Sequence, residues 1–221
     1  APLPDPERSG PCVAVIAGRT TLIVDSGSGG ARNLNRMGVP VGKVAAVLLT
    51  HFHSDHIDGL GELAMLRWVG AAHREPLPVY GPPGVEEIVA GFNQAYRLDA
   101  GYRTAHHGEA VAPPSGAGMA PRPFVAPPGG EPVEVWNADG LRVTAFTVSH
   151  SPVEPAVGYR FEYGGRSLVL SGDTKKSPSV EAQAAGVDLL VHEALDARLV
   201  AGMNRGARAA GNPLVEKITA D

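Results

Sequence analysis

The chain has 221 residues, 43% of them hydrophobic, enough to bury the core of one large domain or at most two small ones. Its 28 glycines and 20 prolines stay short of the roughly 25–30% combined share that marks a disordered chain. A net charge of −4 excludes a broadly basic nucleic-acid protein, though not a local basic groove, and the single cysteine, Cys12, excludes an intramolecular disulfide framework and a Cys-rich structural zinc site.

After a polar, Pro-rich opening from Ala1 to Pro11, the runs Cys12–Ala17 and Thr20–Val24 predict a hairpin turning at Gly18-Arg19. Leu34 and Met37 predict a short helix closed by Gly38 and Pro40. Val44–Leu49 is an apolar run, read as a buried strand that delivers the chain into His51. Leu60, Leu63, Ala64 and Trp68 recur at helical spacing after Gly59. Leu77–Tyr80 predicts a strand and Val85–Leu98 a helix, with His106 and His107 beyond it as solvated loop residues. From Ala112 to Pro132, seven prolines and four glycines predict a loop rather than packed structure. Leu141–Val148 reads as a strand, and Val157–Tyr163 and Ser167–Leu170 as a strand pair turned at Gly164-Gly165. Ala182–Ala185 suggests a short helix, Asp188–Val191 a strand running into His192-Glu193, and Arg198–Asp221 is polar and indistinct. The expected class is α/β with mixed sheets. The expected organisation is one domain over 1–221, with a Pro/Gly-rich arm or loop at about 105–132. No apolar run approaches the ~20 residues of a membrane span, so no membrane partner is expected. No basic-then-apolar leader opens the chain, and the compartment stays open.

The chemistry concentrates in Thr50-His-Phe-His-Ser-Asp-His-Ile-Asp-Gly59. His51, His53, Asp55 and His56 fall within six positions, and three of the chain's eight histidines lie there, at the mouth of a predicted buried strand. Imidazole with carboxylate suits Zn²⁺, Mn²⁺ or Fe. His51 and His53, two apart, share a face if the segment is extended, whereas Asp55 and His56 follow a turn and can address a second ion. Gly59 is expected to let the backbone bend close to the metals.

This segment resembles the HxHxDH motif of the metallo-β-lactamase superfamily. Asp25-Ser-Gly27 is similar to the family's first motif, whose Asp supports the site. Val148-Ser-His150 with the following Pro152–Phe161 stretch resembles the segment of the third histidine, and Ser171-Gly-Asp-Thr174 the segment of the bridging Asp. Leu190-Val-His-Glu-Ala194, Tyr80-Gly-Pro82 and the Pro4–Pro11 opening are similar to the ribonuclease Z branch and its arylsulfatase-like relatives. The resemblance implies a metallo-β-lactamase-like αββα sandwich of two mixed sheets flanked by helices, shortened at both ends. It implies His51, His53 and His150 on a first metal, Asp55 and His56 on a second, and Asp173 bridging both, with two Zn²⁺ expected and Mn²⁺ or Fe as alternatives. Asp at 173 and His at 53 speak against the β-lactamase and diiron patterns respectively. The family carries a further histidine late in the chain, and none follows His192 here.

Other signals weigh less. His192-Glu193 fails the H-E-x-x-H pattern because Asp196 stands at the fifth position, and Glu193 is assigned as support for a proton donor, alongside Asp55 as a nucleophile-orienting catalytic group. Lys175 and Lys176 could meet an anionic substrate, though a solvated turn is the simpler reading. The expected function is a metal-dependent hydrolase cleaving a phosphodiester or related small anionic ester with metal-activated water. A ribonuclease Z-like tRNA 3′ endonuclease, a lactone or β-lactam hydrolase and an inactive metal-binding scaffold are the alternatives. RNA is not favoured as partner because of the net charge, and a homodimer is left open.

Overall fold

The computed structural model describes residues 7–219. Two five-stranded sheets form its centre. The first has the order β1-β2-β3-β4-β5, built from β1 (Val13–Ala17), β2 (Thr20–Val24), β3 (Val44–Leu48), β4 (Leu77–Gly81) and β5 (Met119–Pro123). Only β1 and β2 pair antiparallel; the rest of that sheet is parallel. The second has the order β10-β9-β8-β7-β6, from β6 (Val133–Ala138), β7 (Leu141–Thr147), β8 (Val157–Tyr163), β9 (Arg166–Leu170) and β10 (Leu189–Val191). It is antiparallel except for the β9–β10 pair.

Strand alternation sorts the side chains into layers. Leu22 and Val24 of β2 and Ala46 and Leu48 of β3 join Val143, Ala145, Tyr159 and Phe161 in the core between the sheets. Their neighbours Ile23, Val47 and Leu49 face outward onto helices. Those helices are α1 (Gly30–Arg36), α3 (Leu60–Ala71) and α4 (Val85–His107), which cover the first sheet with Leu34, Leu60, Leu63 and Val89. Burial on both faces explains why β3 reads as an unbroken apolar run. On the outside of the second sheet, α5 (Pro178–Ala184) packs Val180 against Phe146 and Val169. The layer order is helix, sheet, sheet, helix, the expected αββα sandwich. Tyr159 ties the two sheets together, its hydroxyl donating to the Leu49 carbonyl at 2.5 Å.

Several expectations need correction. α4 runs nine residues past Leu98, so His106 and His107 belong to its exposed last turn. The 105–132 segment is not an unpacked arm throughout. Ala112 is fully buried, Trp68 Nε1 donates to the Pro113 carbonyl, and β5 pairs along its whole length with β4. Prolines are tolerated there because β5 is an edge strand. β6 has no counterpart among the expected elements, and the indistinct tail holds α6 (Ala197–Ala209) and α7 (Pro213–Ile218), which pack on each other. The first six residues of the Pro-rich opening, and the last two of the tail, lie outside the described residues. No helix among the described residues is long and apolar enough to cross a membrane.

Candidate metal centre

Strand ends converge at one rim of the sandwich. β2 ends in Asp25, β3 in Thr50 and His51, β7 in Ser149 and His150, and β9 in Gly172 and Asp173. The single helical turn α2 (Ser54–Ile57) then presents Asp55 and His56. Gly172 has φ +63, and a Cβ there would lie 2.9 Å from the Thr50 Cβ, so the Asp173 turn needs glycine both for its backbone conformation and for its closeness to the first sheet. Gly59 approaches a different neighbour from the one expected. A Cβ on it would meet the Gly27 carbonyl at 2.6 Å, and its N–H donates to the Ser26 carbonyl, so it packs one loop on another rather than on the metals.

His51, His53, His150 and Asp173 each offer a ligand atom, and these atoms all lie within 4.8 Å of one another. His51 Nε2 is 3.0 Å from His53 Nδ1, and His150 Nε2 is 3.4 Å from that same Nδ1. Tetrahedral zinc with ligands at ~2.0–2.1 Å requires ligand atoms roughly 3.3 Å apart, so these nitrogens stand at the separation a single ion imposes. Beside this group, His56 Nε2 lies 3.3 Å from Asp173 Oδ1 and 3.9 Å from Asp55 Oδ2. His56 is 1% exposed, so its Nε2 meets these carboxylates rather than water, with no well-aligned hydrogen bond to either. A cation facing Asp173 and Asp55 could take the place of a proton on that nitrogen. The residues therefore fit a divalent ion.

Asp25 organises the first-sheet side. Its Oδ1 accepts the Thr50 N–H at 2.8 Å, and its Oδ2 accepts the Thr50 hydroxyl at 2.9 Å and contacts His56 Nδ1 at 2.8 Å. The Thr50 oxygen also lies 3.0 Å from His51 Nδ1. Both imidazoles are thereby held through their Nδ1 atoms, leaving Nε2 to face the centre. Burial pushes the Asp25 carboxyl up from its usual range, while the His56 and Thr50 hydrogen bonds act against that rise. Burial, with neighbouring imidazole charge, drives His51 down to about 3, so it is neutral with its lone pair available. Burial disfavours charge on His56 too, but Asp173 and Asp25 outweigh it and raise the imidazole to about 10. The same His56 contact holds Asp173 below the usual carboxylate range.

Glu193 lies at the rim after β10, and its carboxylate accepts the Thr174 backbone N–H. His192 is exposed, with Nδ1 2.7 Å from the Glu193 carbonyl. Lys175 and Lys176 are exposed directly after Thr174. His73 makes a 2.7 Å contact to the Gly42 carbonyl and is not among the grouped side chains. A cleft of about 230 Å³ opens between the sheets beside His56 and Asp173, lined also by Cys12, Val24, Val191 and Glu193. Reading the sequence by ligand type misses Thr50 and Thr174, whose hydroxyls tie the centre to its frame; their positions directly beside His51 and Asp173 are the only signal for them.

A sequence profile of the Metallo-beta-lactamase superfamily matches residues 5–200. Ribonuclease Z of Mycobacterium bovis (strain BCG / Pasteur 1173P2) is 41% identical over 194 residues, covering 87% of this chain and 66% of the relative. Ribonuclease Z of Mycolicibacterium paratuberculosis (strain ATCC BAA-968 / K-10) is 39% identical over 203 residues, covering 91% and 69%. The chain thus spans about two thirds of the length of the curated relatives it matches. Among solved structures, human tRNase Z, short form, superposes with a TM-score of 0.71 at 20% identity, covering 93% of this chain and 79% of that one. The metallo-beta-lactamase fold protein YhfI from Bacillus subtilis gives 0.61 at 23% identity, covering 85% and 65%. These two likenesses concern the fold alone.

Proposed function

The chain belongs to the metallo-β-lactamase superfamily, and from that premise we propose that it is a metal-dependent hydrolase of phosphodiester bonds in RNA, of the ribonuclease Z kind. The observation that carries the metal-dependent part is the convergence of three imidazoles and one carboxylate within 4.8 Å, with the buried His56 Nε2 3.3 Å from that carboxylate. The relatives named Ribonuclease Z support the choice of substrate. Their weight exceeds that of the net charge of −4, from which a small anionic ester was expected. Net charge averages over the whole surface, whereas RNA contacts need only local cations. Lys175, exposed two residues after Asp173, is such a cation, beside Lys176, which pairs with Glu181 at 3.5 Å.

In this reading His51, His53 and His150 would hold a first ion and Asp55 and His56 a second, with Asp173 placed to serve both, and zinc is the expected metal. When bound, such ions lower the pKa of a water toward ~7 and neutralise charge on the phosphoryl oxygens. Asp55, partly exposed and 3.9 Å from His56 Nε2, would orient the attacking water. Glu193, at the rim of the cleft, supports the group that protonates the leaving oxygen.

The test is an assay of the chain loaded with zinc against bis(p-nitrophenyl) phosphate and a tRNA precursor carrying a 3′ trailer, with metal content measured in parallel. Two ions per chain and cleavage of the precursor, both lost on chelation and restored by zinc, are the expected results. Turnover of the small diester alone would restore the small-ester reading. Metal without turnover of either substrate would leave an inactive metal-binding scaffold and overturn the proposal.

A further inference from the structure

Among the loops at the rim, the Thr174 side chain ties together the two segments that carry His150 and Asp173 without being a candidate ligand itself. Thr174 directly follows Asp173 and is 5% exposed. Its Oγ1 accepts the Ser149 N–H at 3.1 Å, immediately before His150. The same hydroxyl can donate to the Lys175 carbonyl at 2.8 Å or the Ser149 carbonyl at 3.2 Å. Lys175 N–H donates back to the Ser149 carbonyl at 2.7 Å, and the Thr174 N–H is taken by Glu193.

These bonds join strands that the sheet does not join. β7, which ends before His150, and β9, which ends before Asp173, are separated by β8, so no ladder hydrogen bond runs between them. The sheet spaces the two strand ends across β8, and the closer approach of His150 and Asp173 depends on groups beyond those ends. Thr174 and Lys175 supply that tie, and of its bonds only those of the Thr174 hydroxyl come from a side chain. Partners that orient metal ligands in this way typically change metal affinity about 10–100-fold when removed.

We propose that Thr174 is a positioning residue that fixes the separation of His150 and Asp173 through its hydroxyl. The proposal rests on the metal-centre reading above. It also gives Glu193 a second task, since the Glu193 carboxylate anchors the Thr174 backbone.

The test compares zinc affinity of the whole chain with that of Thr174→Val and Thr174→Ser, by competition with a chromophoric chelator. Hydrogen exchange at the Ser149 amide is followed in the metal-free proteins. Thr174→Val should bind zinc about 10–100-fold more weakly and lose protection at Ser149, with the circular dichroism of the metal-free protein retained. Thr174→Ser should stay close to the parent in both. Parental affinity in Thr174→Val, or equal losses in Thr174→Val and Thr174→Ser, would overturn the proposal. Thr174→Ala replaces the valine variant should that one not fold, and failure of both to fold would also overturn it, since the residue would then serve the fold as a whole. A parent chain that binds no zinc would instead remove the metal-centre reading.

Discussion

The first sheet delivers His51, His53, Asp55 and His56 from one short segment after β3, and the buried Asp25 fastens that segment from behind. The second sheet delivers His150 and Asp173 from two loops that β8 keeps apart. Contiguous ligands inherit their relative positions from a few backbone dihedrals. Separated ligands need cross-ties, and those around Thr174 are partly exposed, whereas the Asp25 ties are buried. The centre is thus expected to be rigid on the first-sheet side and adjustable on the other.

The largest effects should come from the ligands. His53 is exposed, and its contacts are with other imidazoles of the centre. His53→Ala should abolish turnover and reduce bound metal while the metal-free chain melts as before; full metal content with retained activity would contradict its assignment. On the second-sheet side, Asp173→Ala should lower the occupancy of both ions together, and loss of one alone would contradict a bridge.

Asp25→Ala strikes the frame behind the rigid side. It leaves the Thr50 N–H, the Thr50 hydroxyl and His56 Nδ1 without their acceptor. Each orphaned buried group costs about 1–3 kcal/mol, and each kcal/mol lowers the melting temperature of a domain this size by about 2–4 °C. Calorimetry on the metal-free protein should show a fall well beyond that of any second-sheet loop variant. An unchanged melting temperature would mean that the first-sheet side is no firmer than the other.

A milder change tests the join between the sheets. Tyr159→Phe removes one buried hydrogen bond to the Leu49 carbonyl. It should cost about 1 kcal/mol, with turnover unchanged because no ligand moves. Diminished turnover would show that the join itself sets the geometry of the centre.

The smallest expected signal is a proton. With His56 raised to about 10, the metal-free chain carries a proton there at pH 7 that an entering ion must displace. Zinc uptake at pH 7 should therefore release a proton from His56, and this release should fade as pH rises through about 10. Calorimetric titrations in two buffers of different ionisation heat would read it; identical heats would contradict the raised value.

Most of the layering is legible in the chain. Val44–Leu49 announces a doubly buried strand, and the Leu60–Trp68 spacing announces the helix that covers it. The elements that escape the reading do so for physical reasons. β5 carries Pro121 and Pro123, which look like loop until its edge position is known. β6 ends at Asp139-Gly140, both at positive φ, a hairpin signal that the proline-rich approach obscures. α6 is capped by Asp196, whose side chain accepts the Arg198 and Leu199 N–H groups, but it packs mainly on α7, and Ala207 is its one buried residue.

By itself the sequence determined the candidate ligand types, their clustering at 51–56 and the order of most strands and helices, because these depend on neighbours along the chain. Only the tertiary structure decided that His150 comes within 3.4 Å of His53 across 97 positions. It alone set Glu193 on the Thr174 backbone and brought the buried His56 Nε2 to 3.3 Å from Asp173. Those outcomes depend on how two twisted sheets pack and where their strand ends meet, and no local preference of the chain encodes that meeting point.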